Sequence, residues 1–388
     1  MTPIKLLAFN NAPESLFDKG KERLARLFPG VVFDYDSNEP CLLVFLSGGS
    51  EREALKYAKK KNFYILATFD ENNSYAAATE AKAWFDQKGI KNLMVDLDDG
   101  YECKLIEKYI RVKNALLRLN GQVLGVIGEP SEWLVASVMK AKTLRSKLGI
   151  HVQYIDWDEV IDYNTLQANE GFLQSFAKFT FPGISDAGKV YSSFEEIIQH
   201  YALSAITVEC FSLVKKHSVT ACLALSHFND KGFPSGCEGD FTSIVGMMLI
   251  KEICGVIPWM ANLIKVNGRS VKFAHCTAPT HLLESFQVET HYETGLGTAI
   301  AGQYKDGDVT VFRIDNRMRR AFLAEGTIIS RPKSADACRT QIEVALNEED
   351  AACLRVHPLG NHHLIWPGRH SEVLKIALEI LGIRLVNK

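Results

Sequence analysis

Short apolar runs alternate with stretches of helical periodicity through the first third of the chain. "IKLLAF", "CLLVFLSGG", "FYILATF" and "KNLMVDL" read as strands. Between them, "SLFDKGKERLARLF", "SEREALKYAKKKN" and "YAAATEAKAWFDQKG" carry apolar residues at helical spacing. Short apolar strands that alternate with helices imply a parallel sheet covered on both faces. The helix "CKLIEKYIRVKNALLRLNG" then leads to "QVLGVIGEPSEWLVASVMKAKTLRSKLG", where the strand–loop–helix pattern restarts. A domain boundary is therefore expected near residue 120.

The middle third continues in the same way. "HVQYIDW" is a strand, "SFEEIIQHYALSAITVECFSLVKKH" a helix followed by a strand, and "TACLALSHFND" a mixed apolar element before the turn-rich "KGFPSG". After "GCEGD", the residues Ile244, Val245, Met248, Leu249 and Ile253 recur at helical spacing, with Gly255 as the stop. The final third changes character. "GTAIAGQYKDGDVTVFRID" holds two alternating runs around "KDGD", a hairpin signal, and "AFLAEGTIIS" and "EVALN" extend the β pattern. A helix, "HSEVLKIALEILG", and a short strand, "IRLV", close the chain. The expected fold class is α/β: two Rossmann-like α/β domains, residues 1–120 and 121–268, followed by a small antiparallel β-barrel domain, residues 269–388.

Composition narrows the function classes. The 388 residues are 47% hydrophobic and 23% charged, with a net charge of −2. That balance gives no electrostatic reason to expect a nucleic-acid or membrane partner. No apolar run approaches the roughly 18 residues of a membrane span, and "MTPIKLLAFNNAPESLF" does not read as a signal peptide. Nine cysteines without a CxxC pair suggest reduced thiols and a cytoplasmic protein. Glycine-containing loops follow several strands, where open α/β sheets bind ligands, but none is a GxGxxG or P-loop fingerprint.

Chemistry concentrates in a few places. Glu238 and Asp240 stand one glycine apart at a helix start, so in extended backbone they would project side by side. Asp240 is equally an ordinary N-cap, and Glu238 a solvated neighbour. His362 and His363 lie in "HPLGNHHLIWPGRH", read as a histidine-rich loop bracketed by Gly360, Pro367 and Gly368; His275 lies in "KFAHCTAPT". Carboxylates and imidazoles together suit a divalent ion such as Mn²⁺ that keeps positions open for substrate. Glu129 and Trp133 in "GEPSEW" follow a strand, where Trp133 would suit stacking on a sugar ring. Trp366 flanks the histidine motif, with core packing the competing explanation.

"GCEGDFTSIVGMMLIKEICG", "AHCTAP" and "GNHHLIWPGRHSEVLKIALEILGIRLV" occur in that order. Together they resemble segments of the L-fucose isomerase and L-arabinose isomerase superfamily. The resemblance covers residues 200–388 at motif level and the N-terminal part by architecture only. It implies a metal-dependent aldose–ketose isomerase acting on an open-chain sugar. Asp240 and His362 would ligate Mn²⁺ or another divalent ion, and His275, Asn361 and Trp366 would face the substrate. The family's second acid lies upstream and doubles as proton-transfer group. "KKHSVTACLALSHF" holds no carboxylate, which leaves Glu209 in "TVECF" as the nearest upstream candidate, both ligand and catalytic acid, and Glu238 as the other. That departure keeps two alternatives open: a sugar-binding or regulatory homologue without catalysis, and a related carbohydrate epimerase. The resemblance also implies a homo-oligomer, a trimer or hexamer.

Overall fold

The computed structural model describes residues 1–60 and 62–387. Lys61, within the expected helix "SEREALKYAKKKN", and Lys388, the last residue of the expected third domain, lie outside the described residues. The chain forms two compact units, Met1–Ala115 with Ile376–Leu381, and Leu116–Lys375 with Gly382–Lys388.

In the first unit, β1 (Thr2–Leu7), β2 (Phe33–Asp34), β3 (Leu42–Phe45), β4 (Phe63–Thr68) and β5 (Lys91–Asp96) form one parallel sheet in the order β2-β1-β3-β4-β5. Helices α1 (Glu14–Leu27), α2 (Glu51–Lys56), α3 (Ser74–Gln87) and α4 (Gly100–Arg118) connect these strands or follow them. Every residue of β3 and β4 is buried, the burial that parallel strands between helical layers require.

The second unit opens with another parallel sheet, ordered β7-β6-β8-β9. Its strands are β6 (Val123–Ile127), β7 (His151–Ile155), β8 (Ala205–Val208) and β9 (Ser235–Cys237). Around them run α5 (Ala141–Leu148), α6 (Glu170–Ser175), α7 (Ile184–His200), α8 (Phe211–His217), α9 (Cys222–Asp230) and α10 (Phe241–Cys254). The mixed apolar element "TACLALSHFND" is thus helix α9. Helix α10 starts and stops where its pattern indicates, with Asp240 as N-cap and Gly255 (φ 74°) as C-cap. It is buried on nearly every face.

Later strands are β10 (Trp259–Asn267), β11 (Ser270–His275), β12 (Leu283–Glu289), β13 (Ala299–Tyr304), β14 (Asp308–Ile314), β15 (Arg320–Ser330), β16 (Thr340–Ala345), β17 (His362–Pro367) and β18 (Arg384–Leu385). Helix α11 (Glu348–Val356) lies between β16 and β17, and α12 (Ser371–Leu381) follows β17. Six strands close an antiparallel barrel in the order β14-β17-β10-β11-β16-β15, with β15 pairing back to β14; β18 adds to β15 in parallel. The α/β class with two parallel sheets and a β-barrel is therefore as expected. Position 268 is the turn of the β10–β11 hairpin, so the barrel also takes in Trp259–Asn267, ahead of the expected boundary. The runs around "KDGD" do not pair with each other. β13 joins β12 in a separate two-stranded sheet, and β14, buried over six of its seven residues, enters the closed ring. The turn chemistry marks a chain reversal but not which strand edges meet.

The histidine motif is not a loop. His362 and His363 begin β17, which pairs with β10 on one side and β14 on the other. α10 packs closely on this strand: a Cβ added to Gly246 would stand 2.5 Å from Leu364 Cδ1. That contact brings the helix capped by Asp240 against the strand that starts at His362.

Candidate active site

At the end of β9 two consecutive residues adopt left-handed backbone, Glu238 (φ 63°) and Gly239 (φ 70°). For glutamate this conformation costs about 1–3 kcal/mol, strain typical of functional positions. Gly239 has a second constraint, because a Cβ there would lie 2.6 Å from Pro130 Cα. The Ser131 amide donates to the Glu238 carbonyl (2.9 Å) and the Gly239 amide to the Val208 carbonyl (3.2 Å), which pin the turn to its neighbours. The two carboxylates do not project side by side as extended backbone would have them. They reach opposite nitrogens of one imidazole.

His362 donates from Nδ1 to Asp240 Oδ2 at 2.9 Å, while its Nε2 faces Glu238 Oε1 at 3.5 Å. His275 Nε2 lies 3.9 Å from the same Glu238 oxygen, and the two imidazoles are 5.5 Å apart, edge to face. The hydroxyl of Thr277 holds His275 Nδ1 at 2.9 Å. One ligand atom from each of Glu238, His275 and His362 lies within 4.8 Å of the others. His362 Nε2 is buried and lacks a hydrogen-bond partner of normal length. A carboxylate with two imidazoles, each held at its second nitrogen, is a donor set that fits a divalent ion.

Asp240 takes a different place from the expected ligand. It is fully buried; its Oδ1 accepts from the Ser243 amide (2.8 Å) and the Thr242 hydroxyl (2.6 Å), and its Oδ2 accepts from His362. Both oxygens are occupied in capping α10 and orienting the imidazole. Behind it lies Arg313, 2% exposed, with Nη1 3.9 Å from Asp240 Oδ2.

The electrostatics follow from these contacts. Burial pushes the Glu238 carboxyl up, but the charge of His362 at 3.5 Å, then His275 and the Trp133 N–H, outweigh it and bring the pKa down to about 2. Asp240 is likewise raised by burial and carried well below the usual carboxylate range by the His362 hydrogen bond and Arg313. Burial lowers His362, yet Glu238 and Asp240 lift it to about 9. Burial, reinforced by the His362 charge, takes His275 down to about 3.

Trp133 is 55% exposed; its indole N–H donates to Glu238 Oε2 at 2.7 Å, and its ring meets Phe211 edge-on at 5.0 Å. Glu209 stands just past β8, where Val208 is in register with Cys237, so its backbone lies beside that of Glu238. Its carboxylate accepts from the Ser212 amide at 3.3 Å, in the first turn of α8, and is not part of the three-residue set. Glu129 is on an exposed loop after β6. Asn361 is exposed and ties β17 to β10, accepting from the Leu263 amide at 3.1 Å and donating to Asn262. Trp366 is fully buried against His370 at 5.9 Å, four residues or about 13 Å along β17 from His362. A separate cavity of about 510 Å³, lined by Trp157, Tyr163, Phe194, Lys216 and His217 among others, contains none of the three clustered donors.

Arg313 and Glu293 were not among the expected site residues. Arg313 is a lone arginine within the apolar alternation "VTVFRID", the one pattern that hinted at it. Glu293, on the loop between β12 and β13, is raised by burial and by the charge of Glu238; nothing in "HYETGLG" marked it.

The fold and the carboxylate–imidazole cluster define an α/β protein with a candidate metal centre built from two barrel-strand histidines and the carboxylate of the turn after β9. No protein-family model matches the chain. It is similar to the sulfoquinovose isomerases of Priestia aryabhattai and Priestia megaterium, 22% identical to each over 269 residues. The match covers 64% of this chain and 60% of theirs, so the chain spans under two thirds of the length of these curated relatives. Among the described residues no helix is long and apolar enough to cross a membrane, and no cysteine is in a disulfide.

Proposed function

We propose that the chain is a sugar isomerase that interconverts an aldose and a ketose at the Glu238–His275–His362 cluster. The observation that carries this reading is the buried His362 Nε2, held without a proper partner beside a carboxylate and a second imidazole. Glu238, His275 and His362 would hold Mn²⁺ or another divalent ion. When bound, it would polarise the carbonyl and neighbouring hydroxyl oxygens of an open-chain sugar.

The remaining work falls to the chain. Glu238 is ionised across the neutral range and orients the two imidazoles. Glu209, leaving the adjacent strand end, takes a proton from the hydroxyl-bearing carbon next to the carbonyl and returns it to the carbonyl carbon, while the hydroxyl proton passes to the former carbonyl oxygen. Trp133 offers an exposed indole face to the sugar while its N–H steadies Glu238. The relatives' printed name makes sulfoquinovose the first substrate to try; L-fucose and L-arabinose follow from the motif resemblance.

The test is ketose formation from each sugar, with the protein stripped by chelator and reloaded with Mn²⁺. Ketose formed only by the reloaded protein supports the reading. Epimer in place of ketose would make the protein an epimerase. Sugar binding without turnover under every condition would make it a binding protein, a reading favoured by the single carboxylate in the cluster.

A further inference from the structure

Arginine is almost never fully buried unless its charge and donors are matched. Arg313 is 2% exposed on β14, between Phe312 and Ile314, which are buried as well. Its Nη1 donates to the carbonyl oxygen of His362, and its Nη2 donates to Ser137 Oγ at 2.9 Å. Its Nη1 also lies 3.9 Å from Asp240 Oδ2, the oxygen that accepts from His362 Nδ1. The chain ahead of β17 is shaped around this guanidinium: Gly360 has φ 144°, and a Cβ there would stand 2.0 Å from Arg313 Nη2. Arg313 therefore meets His362 twice, once at its backbone and once through Asp240.

We infer that Arg313 is a positioning residue that holds His362 with Nδ1–H on Asp240 and Nε2 turned toward Glu238 and His275. The inference rests on the reading of those three residues as a metal-holding set. Physically, Asp240 is fully buried from bulk solvent, and the guanidinium supplies charge compensation that keeps it an acceptor for the imidazole. The planar fork does a second task. It joins the start of β17 to Ser137, so the imidazole's backbone and its carboxylate partner are located by one group. A lysine would keep the charge but could not make both bonds in the same geometry.

The test uses the full chain as Arg313→Met and Arg313→Lys, with circular dichroism to establish folding. Two readouts apply: Mn²⁺ affinity by electron paramagnetic resonance titration, and the hydrogen-bonded Nδ1–H signal of His362 by ¹⁵N–¹H NMR in metal-free protein. Loss of a partner that orients a metal-holding side chain typically weakens affinity about 10–100-fold. That is the expectation for Arg313→Met, with the Nδ1–H signal lost and Arg313→Lys intermediate. A folded Arg313→Met protein with unchanged affinity and signal would overturn the inference. If Arg313→Met does not fold, Arg313→Lys decides by the same two readouts, unchanged values again overturning it. If the unaltered protein binds no Mn²⁺, the metal reading fails, and the Nδ1–H comparison still decides whether Arg313 positions His362.

Discussion

Glu238 and Asp240 are two residues apart, and the left-handed turn sends them to different tasks on one imidazole. Glu238 stays at the cluster's open side, while Asp240 is sealed behind it. Their substitutions should therefore differ in kind. Glu238→Gln should leave the fold intact, abolish Mn²⁺ binding, and abolish turnover with it, because the ion would no longer be held. Glu209→Gln should bind Mn²⁺ normally and lower turnover by about 10²–10⁴-fold, the range usual for a lost acid–base group. Metal titration alongside the isomerase assay separates the two, and full turnover in Glu209→Gln would move the base to Glu238. Asp240→Ala removes an N-cap and leaves Arg313 buried without its counter-ion, so stability should drop by about 3–5 kcal/mol in urea unfolding. A loop ligand would show no such loss.

At the scale of elements, the turn between β9 and α10 is the most constrained feature near the site. Gly239→Ala would add strain at φ 70° and a clash with Pro130, and both costs fall on the backbone that presents Glu238. We expect a loss of about 1–3 kcal/mol and weakened Mn²⁺ binding, with little change in Trp133-remote spectra. Helix α9 makes a separate, pH-linked contribution. His227 is packed by Phe172, Tyr191 and Phe176 at 5.3, 5.1 and 6.2 Å, and burial lowers its pKa in the folded protein. The unfolded chain takes up this proton near the usual value of about 6.5, whereas the folded protein does so only at lower pH. Its stability contribution is therefore present above about pH 6.5 and lost as pH falls through that value toward the folded pKa. Urea unfolding at pH 7 and pH 5 should show a smaller pH difference in His227→Phe than in the unaltered chain. An equal difference would mean that other groups carry the acid sensitivity.

For the whole molecule, we propose the assembly that the motif resemblance implies, a trimer or hexamer. Val135 and Val138 are exposed to 87% and 47% on the segment whose Ser131 braces the Glu238 turn. A second chain would cover this apolar edge and exclude water near the cluster. Light scattering should give a mass three or six times that of the 43.3 kDa chain, with activity falling on dilution. A monomer with undiminished activity would refute the assembly.

Much of the architecture was legible in residue order, because burial imposes its period locally. "FYILATF" and "CLLVFLSGG" are short runs apolar on both faces and, alternating with helical segments, read as interior parallel strands, and Asp240 and Gly255 mark the ends of α10 by their own backbone preferences. What the sequence alone left open were the choices made by distant contacts. A histidine-rich, glycine-flanked stretch reads as a loop until β10 and β14 pair on either side of it and make it β17. "KDGD" specifies a turn but cannot say that β13 and β14 part company after it. Asp240 has the chemistry of a ligand and of a cap alike. The fold decides, since 122 residues later His362 arrives to take Oδ2, and Arg313 closes the charge from behind. Local propensity determines elements because its interactions lie within one turn or one strand; ligand roles depend on which side chains share a few ångströms of low-dielectric space, and only tertiary structure brings those together.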